Sequence, residues 1–179
     1  MRPVDAGSRA RLIPDHREPK GMLIGAHVSA AGGSDKAVAR AEEIGAECFQ
    51  IFASSPRMWS AKPIADTIAD KYKSEMDRSG MGPTVLHGKY LIALGSPDAE
   101  LVGKSETALR ADVAAANILG ALGVIFHPAS HRGQGFDAII DQFAESVRRV
   151  LEAEPGDSLL MLETSAGAGD HIGSSFAEL

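Results

Sequence analysis

The chain contains 179 residues with a formal net charge of −6, and 44% of its residues are hydrophobic. This length predicts one domain, and no apolar run approaches the roughly 18–20 residues that span a bilayer, which argues against a membrane partner. The acidic balance gives no overall attraction to nucleic acid, so any such binding needs a locally basic rim.

Residues 1–21 differ from the rest of the chain because they are rich in basic residues and lack a periodic apolar face. They also lack the apolar stretch of a secretory signal. We therefore predict a disordered or non-native leader over residues 1–21 and one folded unit over residues 22–179.

Short apolar runs alternate with helical patterns from Met22 onward. The runs predict five β-strands, at residues 23–28, 48–52, 83–86, 123–126 and 158–162. The helical patterns lie at residues 34–45, 64–78, 96–119 and 137–154, and another helix begins within residues 173–179. Ser34 is the predicted N-cap of the first helix, and Ser96, followed by Pro97, is that of the third.

Strict alternation of strands and helices predicts an α/β protein with a parallel sheet. Two architectures fit this order: an open doubly wound sheet, or about the first five β/α units of a (β/α)8 TIM barrel. The single cysteine, Cys48, lies in the second predicted strand, which indicates a buried thiol with no disulfide in the chain. Such a chain is typical of a reducing cytosol, so we predict a cytoplasmic location.

Three predicted strands each run directly into a potential metal ligand, namely His87, His127 and Glu163. They lie about one strand–helix repeat apart, so the carboxyl ends of neighbouring parallel strands would bring them to one rim of the sheet. Two imidazoles and a carboxylate suit Zn²⁺, and a three-ligand set leaves a position open for water. The sequence therefore predicts a zinc site at this rim.

Two other loops at the same rim carry polar or aromatic residues. His27 ends the first predicted strand, where it either makes a structural hydrogen bond or faces a substrate. Arg57 and Trp59 follow the second strand. An arginine beside an indole suits a nucleic-acid surface, and a structural tryptophan beneath a solvated arginine is the alternative.

Five motifs in order give the chain from Ile24 to Leu179 a specific resemblance to the endonuclease IV family of zinc-dependent apurinic/apyrimidinic endonucleases. The resembling stretches are Gly25-Ala26-His27-Val28-Ser29-Ala30-Ala31-Gly32-Gly33, Pro56-Arg57-x-Trp59, His87-x-x-Tyr90-Leu91-Ile92-x-Leu94, Leu122-Gly123-Val124-Ile125-Phe126-His127-Pro128-x-Ser130-His131 and Leu162-Glu163-x-x-Ala166-Gly167-x-Gly169.

This resemblance implies a xylose-isomerase-like TIM barrel with three zinc ions at its carboxyl face. It implies that His87, His127 and Glu163 are zinc ligands, and that Glu163 also bridges to a second ion as a catalytic carboxylate. The implied role is in base-excision repair, where the enzyme hydrolyses the phosphodiester 5′ to an abasic site and leaves a 3′-hydroxyl.

The implied partner is double-stranded DNA that contains an abasic site. Arg57, Tyr90 and Leu91 match residues that enter the DNA there and help to flip the lesion out, and His27 is expected to face the DNA as well. Complete members of the family are expected to be monomeric.

The resemblance covers only the first part of the family's barrel, because further ligands come from strands six to eight. We therefore expect about one full zinc site and part of a second, and a truncated chain that is inactive alone. A metal-dependent sugar isomerase or epimerase of the same barrel superfamily, or a non-catalytic zinc-binding half-barrel, are the alternatives. The loops with Arg57, Tyr90 and Leu91 favour DNA, because a sugar pocket needs no wedge.

Overall fold

A computed structural model describes residues 21–179, so the predicted leader lies outside the described residues except for Gly21. The strands are β1 (Gly25–His27), β2 (Cys48–Phe52), β3 (Thr84–His87), β4 (Gly123–Phe126) and β5 (Leu159–Leu162). The helices are α1 (Asp35–Glu43), α2 (Asp66–Ser79), α3 (Ala99–Leu119) and α4 (Phe136–Ala153), followed by a short 3₁₀ helix at Phe176–Glu178. The predicted alternation of strands and helices is confirmed.

The strands form one parallel sheet in the order β1-β2-β3-β4-β5. Each strand is therefore paired with its neighbour in the sequence, and the order never reverses. A doubly wound sheet reverses direction at a switch point, whereas consecutive order is that of a β/α barrel. The arrangement is the partial TIM barrel that the sequence predicts.

The core lies between one face of the sheet and the helices that connect the strands. Alternate strand residues point into it, because successive side chains in a strand point to opposite faces. Buried side chains in this layer include Phe49, Ile51, Leu86, Val124 and Phe126 from the strands and Val38, Leu109, Val113, Ile139 and Val150 from the helices. The packed layer fixes the strands, and through them the rim at their carboxyl ends.

The start of α3 differs from the prediction. The helix begins at Ala99, and the side chain of Asp98 accepts hydrogen bonds from the backbone N–H groups of Glu100 and Leu101. The hydroxyl of Ser96 accepts instead from the N–H of Asp98, at 3.2 Å. The prediction that Ser96 is the N-cap is therefore wrong, because its side chain closes the turn before the helix.

Two smaller expectations near β1 also need correction. Ser34 stands at the N-cap position of α1, but its side chain makes no capping hydrogen bond. Cys48 is half-buried rather than buried, because β2 is covered on one side only by the short and exposed β1. Within residues 21–179, no helix is both long and apolar enough to cross a membrane.

Candidate metal centre

The three predicted ligands meet at the carboxyl rim of the sheet. His87 is the last residue of β3, and His127 and Glu163 directly follow β4 and β5. One ligand atom from each lies within 4.8 Å of the other two. The Oε2 atom of Glu163 is 3.1 Å from Nε2 of His87 and 3.9 Å from Nδ1 of His127. Parallel pairing of three consecutive strands is what brings these groups together.

The imidazole of His87 has a fixed orientation. Its Nδ1–H donates to the carbonyl of Gly88 at 2.8 Å, which directs Nε2 at Glu163. The ring also packs edge-on against Phe52, Tyr90 and His127, with centroid distances of 5.3, 5.7 and 5.4 Å. Histidines that bind a metal through one ring nitrogen usually donate a hydrogen bond from the other ring N–H to a carbonyl or carboxylate.

The spacing of the group also fits a zinc ion. Tetrahedral Zn²⁺ with bonds of about 2.0–2.2 Å places its ligand atoms about 3.4 Å apart. The distances of 3.1 and 3.9 Å to Glu163 lie on either side of that value. His127 and Glu163 are 48% and 36% exposed, so water can reach the centre. The three residues could therefore hold one metal ion with an open position.

His27 lies at the rim beside this group but does not belong to it. Its ring is 4.5 Å from Phe52 and 6.4 Å from His87, measured between centroids. The amide of Gln50 donates to Nδ1 at 2.8 Å, which leaves the Nε2–H as a donor. Burial, and then the nearby His87, lower the pKa of His27. His27 is therefore a neutral hydrogen-bond donor at neutral pH. Its structural hydrogen bond with Gln50 is present, and the residue is nevertheless exposed at the rim.

A groove of about 970 Å³ leads away from His127 between the loops that follow β3, β4 and β5. Tyr90, Leu91 and Trp59 form part of its wall. Tyr90 is 56% exposed, and Trp59 is half-buried. The structure thus brings the predicted Tyr90 and Leu91 to one surface beside the three candidate ligands.

Arg57 is exposed on the loop after β2 and does not line the groove. Within residues 21–179, no acidic group forms an ion pair with it. The adjoining loops are held together, because the N–H of Tyr90 donates to the carbonyl of Pro56 at 3.2 Å. Among the residues that the structure describes, Arg57 is therefore a cation without an acidic partner, on a loop that contacts the loop of Tyr90.

A buried ion pair lies beneath the rim, and the sequence motifs did not point to it. Lys89 Nζ lies 3.1 Å from Asp112 Oδ1, and both side chains are almost completely buried. Burial raises the pKa of Asp112, and Lys89 offsets part of that rise. One signal was available: Asp112 is a lone acid in an apolar stretch of α3. Nothing in the sequence periodicity pairs it with Lys89.

The model of the xylose isomerase-like TIM barrel family matches residues 38–179. The chain belongs to this family. A "Probable endonuclease 4" of Halorhodospira halophila is 40% identical over 158 residues, which are 87% of this chain and 53% of that protein. Its counterpart in Halothermothrix orenii is 38% identical, over 88% of this chain and 57% of that protein. The chain thus spans about half the length of these curated relatives.

Solved structures agree with this assignment. Endonuclease IV from Thermus thermophilus superposes with a TM-score of 0.79 at 32% identity, covering 88% of this chain and 57% of that one. The 3-keto-D-glucoside 4-epimerase of E. coli has a TM-score of 0.64 at 17% identity, over 88% of this chain and 62% of that one. The latter likeness shows the fold alone. The resemblance to endonuclease IV is confirmed.

Proposed function

We propose that this chain carries part of an endonuclease IV-type active site for base-excision repair. The substrate is double-stranded DNA with an abasic site, and the reaction of the whole protein is hydrolysis of the phosphodiester 5′ to that site, leaving a 3′-hydroxyl. The observation that carries the proposal is the meeting of His87, His127 and Glu163 within 4.8 Å at one rim. The endonuclease 4 names of the relatives support the reaction class.

We assign His87, His127 and Glu163 as zinc ligands. Bound zinc would supply an ionised water and neutralise the scissile phosphate. Gly88 holds the imidazole of His87 in place. Glu163 offers Oε2 to both histidines, while its Oε1 has no hydrogen-bond partner among residues 21–179. This free oxygen supports the bridging role of Glu163, so the chain would supply about one full site and part of a second.

Tyr90 and Leu91 are assigned to the DNA. An abasic sugar has no base to unstack or unpair, so its extrusion costs little, and an exposed ring or apolar side chain can fill the gap that remains. The ring of Tyr90 is braced edge-on by Phe52 at 5.3 Å. It is therefore both exposed and held at a defined angle, as a wedge requires.

Arg57 and His27 are assigned to the DNA backbone, since Arg57, which the resemblance expects to enter the DNA, lies outside the groove that Tyr90 and Leu91 line. Arg57 has no internal acidic partner among the described residues, so its charge is available to a phosphate. His27, kept neutral by its lowered pKa, would donate one hydrogen bond from Nε2. Together they supply the locally basic and donating rim that an acidic chain needs in order to bind DNA.

No specific observation favours a sugar epimerase, because the likeness to epimerases lies in the fold. The proposed site of action is the cytoplasm, in keeping with the single cysteine, which is unpaired.

The test has two readouts on the purified chain. We expect about one zinc ion per chain by native mass spectrometry. We also expect tighter binding to a duplex with a tetrahydrofuran abasic analogue than to the matched intact duplex. His171→Ala, which removes an exposed histidine outside the ligand group, is the control for His87→Ala in the zinc measurement. A chain that binds zinc but has equal affinity for both duplexes would favour the non-catalytic alternative. If His87→Ala retained both zinc binding and the preference for the abasic duplex, the site would be refuted.

Incision is assayed separately on an end-labelled abasic duplex. A complete active site is expected to leave a 3′-hydroxyl, which a DNA polymerase can extend. The chain alone is expected to cleave poorly or not at all. Robust turnover by the 179-residue chain would contradict our expectation that it is inactive alone. A blocked 3′ end would contradict the proposed reaction itself.

A further inference from the structure

The buried pair Lys89–Asp112 lies directly under the loops that we assign to DNA. The ammonium of Lys89 donates to Asp112 Oδ1 at 3.1 Å and to the hydroxyl of Ser54. The backbone N–H of Lys89 donates to the second oxygen of Asp112 at 3.3 Å. The side chains of Lys89 and Asp112 are only 1% and 2% exposed. The carboxylate thus binds one residue through both its backbone and its side chain.

A buried ion pair of this kind adds little to the free energy of unfolding. Moving two charges out of water costs much of what their attraction returns, and an apolar pair of similar volume often serves as well. A buried ammonium does, however, require acceptors in specific places. The pair therefore restricts the β3 loop to arrangements in which Lys89 reaches both Asp112 and Ser54.

The three residues come from three different elements. Lys89 lies between the ligand His87 and the wedge residue Tyr90 in the loop after β3. Ser54 lies in the loop after β2, three positions before Arg57, and Asp112 lies in the middle of α3. A single ammonium thus ties the two DNA-facing loops to one helix of the core.

Packing alone leaves the β2 loop room to move. A cavity of about 110 Å³ separates this loop from α3, and Ser54, Ile64 and Asp112 are among its lining residues. Few van der Waals contacts oppose an inward shift of the loop across such a gap. The hydrogen bond from Lys89 holds Ser54, which is one of the residues at the edge of this cavity.

We propose that Lys89 is a positioning residue that fixes the loops of Arg57 and Tyr90 relative to His87, His127 and Glu163. Its ammonium links the β2 loop to α3, and its backbone N–H links the β3 loop to the same carboxylate. The inference rests on the proposed function, since it adds a residue to the recognition of abasic DNA. Lys89 itself touches neither the DNA nor the metal in this role.

Trp59 offers a test of the loop that needs neither zinc nor DNA. It is the single tryptophan of the chain and lies in the β2 loop, so its fluorescence reports that loop directly. Ser54→Ala removes the link to Lys89 and leaves the buried ion pair intact. We expect greater quenching by acrylamide and a red-shifted emission in Ser54→Ala. Ser55→Ala, which truncates the exposed neighbouring serine, is the matched control.

Two substitutions of the pair separate positioning from stability. Lys89→Met leaves Asp112 unpaired, whereas Lys89→Met combined with Asp112→Leu replaces the pair with apolar groups. We expect the double variant to recover the melting temperature while binding abasic DNA about 2- to 30-fold more weakly than the wild type. Lys89→Arg, which keeps the charge, is expected to recover part of the binding.

The outcomes decide the proposal even if Lys89→Met fails to fold. Unchanged Trp59 fluorescence in Ser54→Ala would overturn it, and so would wild-type DNA binding by the double variant. A wild-type chain that shows no preference for abasic DNA would refute the proposed function, while the Trp59 measurement would still decide whether Lys89 anchors the loop.

Discussion

Nε2 of His87 lies 3.1 Å from Oε2 of Glu163, although the two residues are 76 positions apart in the chain. Their strands are not neighbours, since β4 lies between them and contributes His127 to the same group. The contact therefore depends on the whole segment from β3 to β5. Any change that shifts one of these strands would separate the ligand atoms.

The first prediction concerns zinc affinity. His127→Asn should weaken Zn²⁺ binding by at least about 10–100-fold, because even the loss of an outer-shell partner costs that much. The side chain of His127 is 48% exposed, so the fold should survive. Competition with a chromophoric chelator measures the affinity. His171→Asn, in a neighbouring loop, should bind zinc as the wild type does, and an equal loss in both variants would contradict the assignment.

The second prediction concerns the charge of Arg57. Arg57→Ala should weaken binding to abasic duplex DNA and lower the salt dependence of log K by about one, since one phosphate contact is lost. Fluorescence anisotropy over a series of salt concentrations gives this slope. Arg78→Ala is the control, because Arg78 is engaged by Glu42 and Glu75 at the end of α2. A wild-type slope in Arg57→Ala would remove Arg57 from the interface.

The third prediction concerns the ring of Tyr90. Tyr90→Ala should lower the preference for abasic over intact duplex by about tenfold, in line with a loss of about 1–3 kcal/mol per stacked aromatic contact. Tyr90→Phe keeps the ring and should keep the preference. The ratio of the two dissociation constants is the quantity to compare. If both variants lose the preference equally, the hydroxyl rather than the ring is responsible.

The fourth prediction concerns two glycines with different surroundings, Gly123 in β4 and Gly103 in α3. A methyl group at Gly123 would overlap the Leu159 carbonyl of the adjacent strand, so Gly123→Ala should cost about 1–3 kcal/mol of unfolding free energy. A methyl group at Gly103, in α3, meets nothing within 4 Å, so Gly103→Ala should stabilise by about 0.5–1 kcal/mol. Urea denaturation measures both values, and a Gly123→Ala variant as stable as the wild type would contradict the packing of β4 against β5.

The fifth prediction concerns acid stability. Hydrogen bonding to Arg148 lowers the pKa of Glu145 from 4.5 to about 2 in the folded chain. Because the folded-state pKa lies below the unfolded value, Glu145 stabilises the fold above pH 4.5, and this contribution is lost as the pH falls towards 2. Glu145→Gln should therefore flatten the acid limb of the stability profile slightly, because the pair is exposed. Thermal denaturation between these pH values measures the effect. The same pH dependence of the melting temperature in Glu145→Gln and the wild type would refute the pairing.

Some of the architecture follows from local sequence patterns. The bounds of β2 and β4 agree with their apolar runs, because an apolar run between turn residues marks a buried strand. His127 and Glu163 were recognisable as rim residues, since parallel strands end at one edge. These features depend on residues close to one another in the chain.

Other features depend on which hydrogen-bonding partner wins in three dimensions. Ser96 and Asp98 are both good N-caps, and the choice follows from the turn that Ser96 closes. The pairing of Lys89 with Asp112 crosses 23 positions and joins a loop to a helix. Periodicity carries no information about such a contact, so the buried anchor beneath the rim could not be predicted.

The consecutive order of the strands bears on how the chain folds. Every hydrogen-bonded strand pair within residues 21–179 joins strands that are consecutive in the sequence, so the sheet can grow in chain order. Each parallel pair still needs a crossover helix, and sheets of this kind form slowly, but an emerging chain can add one unit at a time from its N-terminal side. In such a chain His87 and His127 would already be in place when Glu163 arrives with β5, so the three ligands would come together only once β5 has joined the sheet.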